Sequence, residues 1–208
     1  EIPGHVGTSY PKYEAYEMAI GRRKFVNDLD FDGMVHGALL FSEHPRAIVK
    51  EIDTTAASEL KGVLRIFTAG NIPGDQYVGL IYKDWPLMIG KGKITRYIGD
   101  VIAGVVAETE EIARKATRMI RVDYEILEPV TDPHLAIKSS APLVHPGKDN
   151  LLETCKVYRG GNADEIIAGS AFIAKGIYQT QRIEHAFLET EGAVAMPDDD
   201  GLHLYSNG

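Results

Sequence analysis

Residues 101–127, VIAGVVAETEEIARKATRMIRVDYEIL, leave this chain few folds to choose from. VIAGVVA is short, apolar and β-branched at Val101, Ile102, Val105 and Val106. It reads as a buried strand, since a helix of ordinary length needs more residues. Thr109 stands where an N-cap belongs. Glu110 and Glu111 then fill the first helical turn, where the helix dipole favours negative charge. Ile112, Ala113, Ala116, Met119 and Ile120 recur with a helical period, which predicts an amphipathic helix over 110–121. Arg114 and Lys115 follow the two glutamates at i,i+4 and can pair with them. VDYEIL, residues 122–127, reads as the next strand, and Glu128-Pro129 breaks it.

The flanking segments carry weaker signals. GMVHGALLFS (33–42), AIVKEID (47–53) and VLRIFT (63–68) are compatible with strands. Thr54 or Thr55 is placed to cap a short helix through AASEL, with Gly62 as its stop. Residues 69–93 hold Pro73, Pro86 and several glycines, so long loops are expected there. Residues 1–20 read as an extended lead-in. KSSAPLVHPGKDN, residues 138–150, has the composition of a linker. A second unit starts near Val157. Asn162 can cap a helix through ADEIIAG, and FIAKGIYQTQRI (172–183) looks strand-like. GAVAMP and LHLYS flank Asp198-Asp199-Asp200-Gly201 as the arms of a hairpin would.

Composition removes several function classes. The 208 residues carry a net charge of -8. A nucleic-acid binder needs a basic face, and so does a protein held on an anionic membrane surface. No nucleic-acid or membrane partner is therefore expected. The longest apolar run is too short to cross a bilayer, and no basic-then-apolar signal segment opens the chain. A cytoplasmic location is the default expectation. The chain opens on Glu1, which suggests a processed or excised piece. Cys155 is the only cysteine, so an intrachain disulfide, a Cys-ligated iron–sulfur cluster and a Cys-rich zinc site are all excluded.

QTQRIEHAFLETEG, residues 179–192, looks most like a reactive site. On a helix, His185 and Glu189 would share a face. On a strand, which the flanks favour, they would lie about 13 Å apart by rise alone. A scaffold role is the stronger reading. Asp198–Asp200 lacks the alternating ligands and closing Glu of an EF-hand, so a solvated turn is expected. YRGGN (158–162) precedes a helix start without any Walker or dinucleotide pattern, and a loop cap is the better reading. Cys155 is read as an ordinary free thiol. Ser42, Glu43 and His44 are adjacent, which does not make a triad. Trp85 beside Pro86 is read as a packing anchor. No catalytic residue and no metal site is assigned from these residues.

The order of the motifs is more specific than any one of them. FVNDLDFDGMVHGALLFSEHPRAIVKEID, then GVLRIFTAGNIPG, then YIGDVIAGVVAETEEIARKATRMIRVDYEILEPVTDP, resembles the α/β hammerhead domain of the xanthine dehydrogenase and aldehyde oxidase family, the molybdenum hydroxylases. The resemblance covers about residues 20–138. Asn71-Ile72-Pro73-Gly74 is similar to the family's Asp-(Ile/Val)-Pro-Gly with Asn in place of Asp, and SEHPRAI departs slightly from the usual arrangement. Further on, GGNADEIIAGSAFIAKGIYQTQRIEHAFLETEGAVA resembles the start of the family's molybdopterin-binding region. Gly161-Asn162 stands where the family has Gly-Asp. Gln181, His185, Leu188 and Glu189 are similar to a Gln…His…(Leu/Met)-Glu signature that lies on the way to the cofactor.

The resemblance implies an α+β fold: a lead-in over 1–20, a hammerhead domain over 21–138, a linker over 139–156, and a truncated start of the molybdopterin-binding domain over 157–208. It places the cofactor-facing glutamine just beyond Gly208, and the glycine-rich loop and catalytic glutamate further on. No cofactor-binding residue is thus assignable; Gln181, His185 and Glu189 are the nearest signature. For the parent enzyme it implies hydroxylation of a heteroaromatic, purine-like ring or of an aldehyde, with water as the oxygen source. Molybdopterin-molybdenum would be its cofactor, and iron–sulfur clusters, often with FAD, would carry electrons in other domains or subunits. The expected partners are those domains and the remainder of the molybdenum-binding domain, with self-association through the truncated end. The chain alone is expected to be inactive and free of molybdopterin. Two other classes stay open: a non-catalytic binding or assembly module that reuses the fold, and a small metal hydrolase built on His185 and Glu189.

Overall fold

The computed structural model describes residues 6–207. They form two compact units, one spanning Gly33–Gly160 and the other made of the residues up to Asp32 together with those from Gly161 on. The segment read as an extended lead-in contains one short helix, α1 (Ala15–Ala19), in the second of these units.

The Gly33–Gly160 unit is built on β1 (His36–Phe41), β2 (Ala47–Asp53), α2 (Thr55–Ser58), β3 (Val63–Thr68), β4 (Tyr77–Val78), β5 (Trp85–Pro86), β6 (Val101–Ala107), α3 (Glu110–Thr117), β7 (Arg121–Ile126) and α4 (Pro133–Ala136). β6 is the centre of an antiparallel sheet ordered β1-β6-β3. Both its edges are paired, α3 covers one face and Ile102 is fully buried on the other, which is why its sequence is apolar almost throughout. Ala38, Val105 and Ile66 stand in register on the helix-covered face. α3 lies there, and Ala113 and Ala116 are fully buried beside Ala103, Val105 and Ala107. Methyl-sized side chains on both surfaces let helix and sheet approach closely.

The helix begins as its sequence demands. Thr109 Oγ1 accepts from the Ile112 N–H at 3.2 Å, and Arg114 pairs with Glu110 one turn away at 2.6 Å. Replacing Thr109 by Ala should cost about 0.5–2 kcal/mol, read as a lower denaturant midpoint at unchanged slope. The helix is shorter than the predicted 110–121, because the chain must turn before β7. The Met119 N–H donates to the Ala116 carbonyl and the Ile120 N–H to that of Thr117, and both side chains still pack on the core. α2 ends earlier than the expected stop at Gly62, at Ser58 with Glu59 as its C-cap. Gly62 stands instead in the turn before β3 at φ +90°, where a Cβ would meet Ile112 Cδ1 at 2.7 Å. The expected Thr cap of α2 is corrected: no Thr54 side-chain cap forms, and Asp53 Oδ1 takes the Thr55 N–H instead. That bond, more than any other influence, lowers the Asp53 pKa.

β2 pairs with β7 antiparallel. Its other edge is held by residues 92–95, through Gly92 N–H to Val49 O, Val49 N–H to Lys93 O and Thr95 N–H to Ala47 O. The Ile89 N–H donates to Val101 O, so the same segment also reaches β6. Residues 69–93, expected as loops alone, therefore include the β4–β5 ribbon and an anchored run around the buried Ile89. Residues 138–150 carry no strand or helix, yet they are fixed in place. Asn150 Nδ2 donates to the carbonyls of Ala136 and Pro142, each at 2.9 Å, and its Oδ1 accepts from the Val144 N–H.

In the other unit, Asn162 caps α5 (Ala163–Ala168) through the Asp164 N–H, as its sequence predicts. β8 (Ala193–Asp198) and β9 (Gly201–Ser206) make the expected hairpin, and Asp198 Oδ1 accepts from the N–H groups of Asp200 and Gly201 in its turn. The strand expected over 172–183 is not there. An extended segment becomes a strand only when a neighbour takes its N–H and C=O groups, and no described segment does so here. Its apolar side chains are left in solvent: Phe172 is 94% exposed and Ile177 99%. Among the described residues no helix is long and apolar enough to cross a membrane.

Candidate functional site

The Gln181–Glu189 segment is irregular, so neither the helical nor the strand placement of its side chains applies. Gln181 and His185 are exposed. His185 stacks on Phe187, with centroids 5.6 Å apart and planes 4° from parallel. Glu189 is half-buried and already committed: its Oε1 accepts from the Val26 N–H at 3.1 Å. Beside it, Asn27 Nδ2 donates to Thr190 Oγ1 at 2.8 Å, and Asn207 Nδ2 donates to Thr190 O at 2.7 Å. Glu189 and Thr190 thus tie residues 26–27 to the hairpin end. That is scaffold work, and it keeps His185 and Glu189 from acting as a pair.

Of the remaining sequence candidates, all but Cys155 have partners that fit a structural role. Ser42 is buried, donates to His44 O at 2.8 Å and accepts from the His44 N–H at 3.1 Å, which closes a turn and spends its hydroxyl. His44 meets Tyr124 edge-on at 5.0 Å, and burial raises the Tyr124 phenol's pKa. Trp85 packs on Tyr97 at 5.2 Å. Asp198 pairs with His203 across the hairpin. Cys155 is an exposed free thiol. No three His, Cys, Asp or Glu side chains among the described residues come together as a metal set.

Sequence reading missed a cluster in the Gly33–Gly160 unit. Asp84, Arg96, His145 and Lys148 meet there, joined by residues far apart in the chain. Arg96 Nη1 donates to the Asp84 carbonyl and lies 3.1 Å from His145 Nδ1. Lys148 Nζ stands 3.4 Å from Asp84 Oδ2, while His145 Nδ1 stands 3.8 Å from the same oxygen. Lys148 also sits 4.8 Å above the Tyr82 ring, and the Tyr82 hydroxyl donates to Glu153 Oε2 at 2.8 Å. Burial, then the neighbouring Arg96 charge, lowers the His145 pKa, against a smaller opposing pull from Asp84. The Glu153 bond raises the Tyr82 pKa. Next to the cluster is a cavity of about 760 Å³. Ile52, Met88 and Lys93 line one part of it, and Leu143, Val144 and Pro146 another. No local pattern announces this arrangement, because Arg96 and His145 are 49 positions apart.

Two family models match the chain. One is described as aldehyde oxidase and xanthine dehydrogenase, a/b hammerhead domain, over residues 20–128. The other is a molybdopterin cofactor-binding domain, over residues 144–208. A probable xanthine dehydrogenase subunit of Bacillus subtilis is 35% identical over 181 residues, 87% of this chain and 24% of the relative. The nicotinate dehydrogenase large molybdopterin subunit of Eubacterium barkeri is 28% identical over 197 residues, 95% of this chain and 45% of the relative. The chain thus spans between about a quarter and under half of the length of these relatives. Among solved structures, the aldehyde oxidoreductase of Desulfovibrio gigas superposes with a TM-score of 0.82 at 26% identity, over 96% of this chain and 23% of that one. The α+β hammerhead expectation is met on these grounds.

Proposed function

We propose, from the premise that this chain belongs to the aldehyde oxidase and xanthine dehydrogenase family, that it forms part of the molybdenum-binding subunit of a hydroxylase. One observation carries the reading: a hammerhead match and a molybdopterin-domain match follow one another on a single chain. The whole enzyme then oxidises a heteroaromatic ring, with a purine as the first candidate, or an aldehyde, and takes its oxygen from water. The two relatives carry different substrates in their names, xanthine and nicotinate, so matching them does not select one. Molybdopterin-molybdenum supplies the redox chemistry when bound, and iron–sulfur and FAD domains or subunits take the electrons onward. The enzyme is assigned to the cytoplasm.

The side chains of this chain do not by themselves fit the cofactor. Gln181 and His185 face solvent, Glu189 is spent on the Val26 amide, and no metal-ligating set forms among the described residues. No chemical step is assigned to them. The contribution of the chain is positioning: a rigid sheet-and-helix unit, and a segment that leads into the cofactor-binding region. The purified chain should contain no stoichiometric molybdenum and should not turn over xanthine or an aldehyde with a dye acceptor. The same chain joined to the remainder of its molybdenum-binding domain should hold the metal. Turnover by the chain alone, or a metal-free joined protein, counts against the proposal.

A further inference from the structure

We propose that residues 142–150 form a pH-sensitive strap, which neutral His145 latches to Arg96 and which protonation of His145 releases from the cavity it walls. The latch is defined by donor chemistry. A guanidinium has only donors, so the Arg96 Nη1 contact at 3.1 Å requires His145 Nδ1 to be an acceptor, with the ring proton on Nε2. A second proton on the ring would occupy Nδ1 and remove that bond. The charged groups around the ring are Arg96 and Asp84 from the 84–96 segment and Lys148 from the strap itself. Asp84 alone favours an imidazolium, but it is farther off at 3.8 Å and already engages Lys148. Two cations against one shared carboxylate oppose the protonated ring.

Release has a defined structural consequence. Leu143, Val144 and Pro146 line the cavity of about 760 Å³, whose other lining residues belong to strands and turns of the same unit. The strap is the part without regular backbone pairing. The Asn150 side chain closes it into a loop and hinges its end to Ala136, while His145 and Lys148 are the side chains that join the rest of the loop to Asp84, Arg96 and the Tyr82 ring. With His145 charged, Lys148 is left as the tether, an exposed ammonium held 3.4 Å from the half-buried Asp84 carboxylate and over the Tyr82 ring. The strap can then leave without disturbing β6 or α3. Residue 144 is also where the match to the molybdopterin-domain model begins, so the strap is the chain's route into that region.

The pH direction follows from the acceptor role. The folded state disfavours the proton, so the latch is complete above the ordinary histidine range and fails as pH falls below it. The test is hydrogen–deuterium exchange on the full chain at about pH 7.5 and about pH 5, expressed as protection relative to intrinsic rates. Amides of residues 143–150 should lose protection about tenfold for each pH unit once the ring titrates, while β6 amides keep theirs and report that the fold is intact. In His145→Gln the amide oxygen can accept from Arg96 at either pH, so the response should vanish. A strap equally protected at both pH values in the unmodified chain overturns the proposal. So does a His145→Gln chain that responds as the unmodified chain does. Either result leaves the hydroxylase assignment untouched, because the readout is not activity.

Discussion

Ile102→Ala will lower the stability of the Gly33–Gly160 unit by about 2–5 kcal/mol. Ile102 has no exposed surface and sits in a cluster with Val49 and Ile89, packed by Leu40, Ile52, Val122 and Tyr124. Truncation removes its transfer free energy and leaves a hole. The hole cannot close easily. β6 is paired on both edges, and the Ile89 N–H to Val101 O bond at 2.7 Å fixes the neighbouring wall. Leu64→Ala on the edge strand β3 is the control: the side chain is 54% exposed, and its loss should stay within about 0.5 kcal/mol. Denaturant unfolding of the full chain, followed by the signal of Trp85, measures both. An Ile102→Ala midpoint equal to that of Leu64→Ala would mean that the second apolar cluster is not a closed core.

The β6–α3–β7 core was legible because independent signals agreed there. Burial pattern, N-cap, first-turn charge and helical period all pointed to the same three elements. Family membership was legible for a different reason, since it rests on the order of separated motifs. The errors share one cause, partners that sequence does not display. FIAKGIYQTQRI has a strand's composition, but pairing decides whether a strand forms, and pairing is non-local. Tyr77–Val78 and Trp85–Pro86 pair inside what looked like a loop, the proline standing in a two-stranded ribbon. Glu189 looked like half of a metal pair, and its actual partner, the Val26 amide, lies 163 positions away. Asp84, Arg96, His145 and Lys148 each read as ordinary polar residues until the chain folds them together. Local chemistry thus exposed the framework, while the partnerships of Glu189 and of the Arg96–His145 cluster span long stretches of chain.

Amides of residues 171–191 will exchange almost as fast as in an unfolded peptide, while those of β6 will be protected about a thousandfold or more. Protection requires an amide that is hydrogen-bonded and opens rarely. β6 amides are paired on both sides and buried under α3, so they exchange only when the unit unfolds. Residues 171–191 hold no described strand or helix, and the exposure of Phe187 and Leu188 exceeds three-quarters. Apolar side chains in that condition contribute little to folding, because the area they remove from water is small. The β8–β9 hairpin should fall between the two, since its amides are bonded but its side chains are mostly exposed. The order β6, then hairpin, then 171–191 is therefore the expected ranking in a monomer. Slow exchange throughout 171–191 at high protein concentration, lost on dilution, would show these side chains covered by a second copy. Equal protection of 171–191 and β6 in a confirmed monomer would instead mean that this segment closes its own core, and the expectation that residues 157–208 are the truncated start of a domain would have to be abandoned.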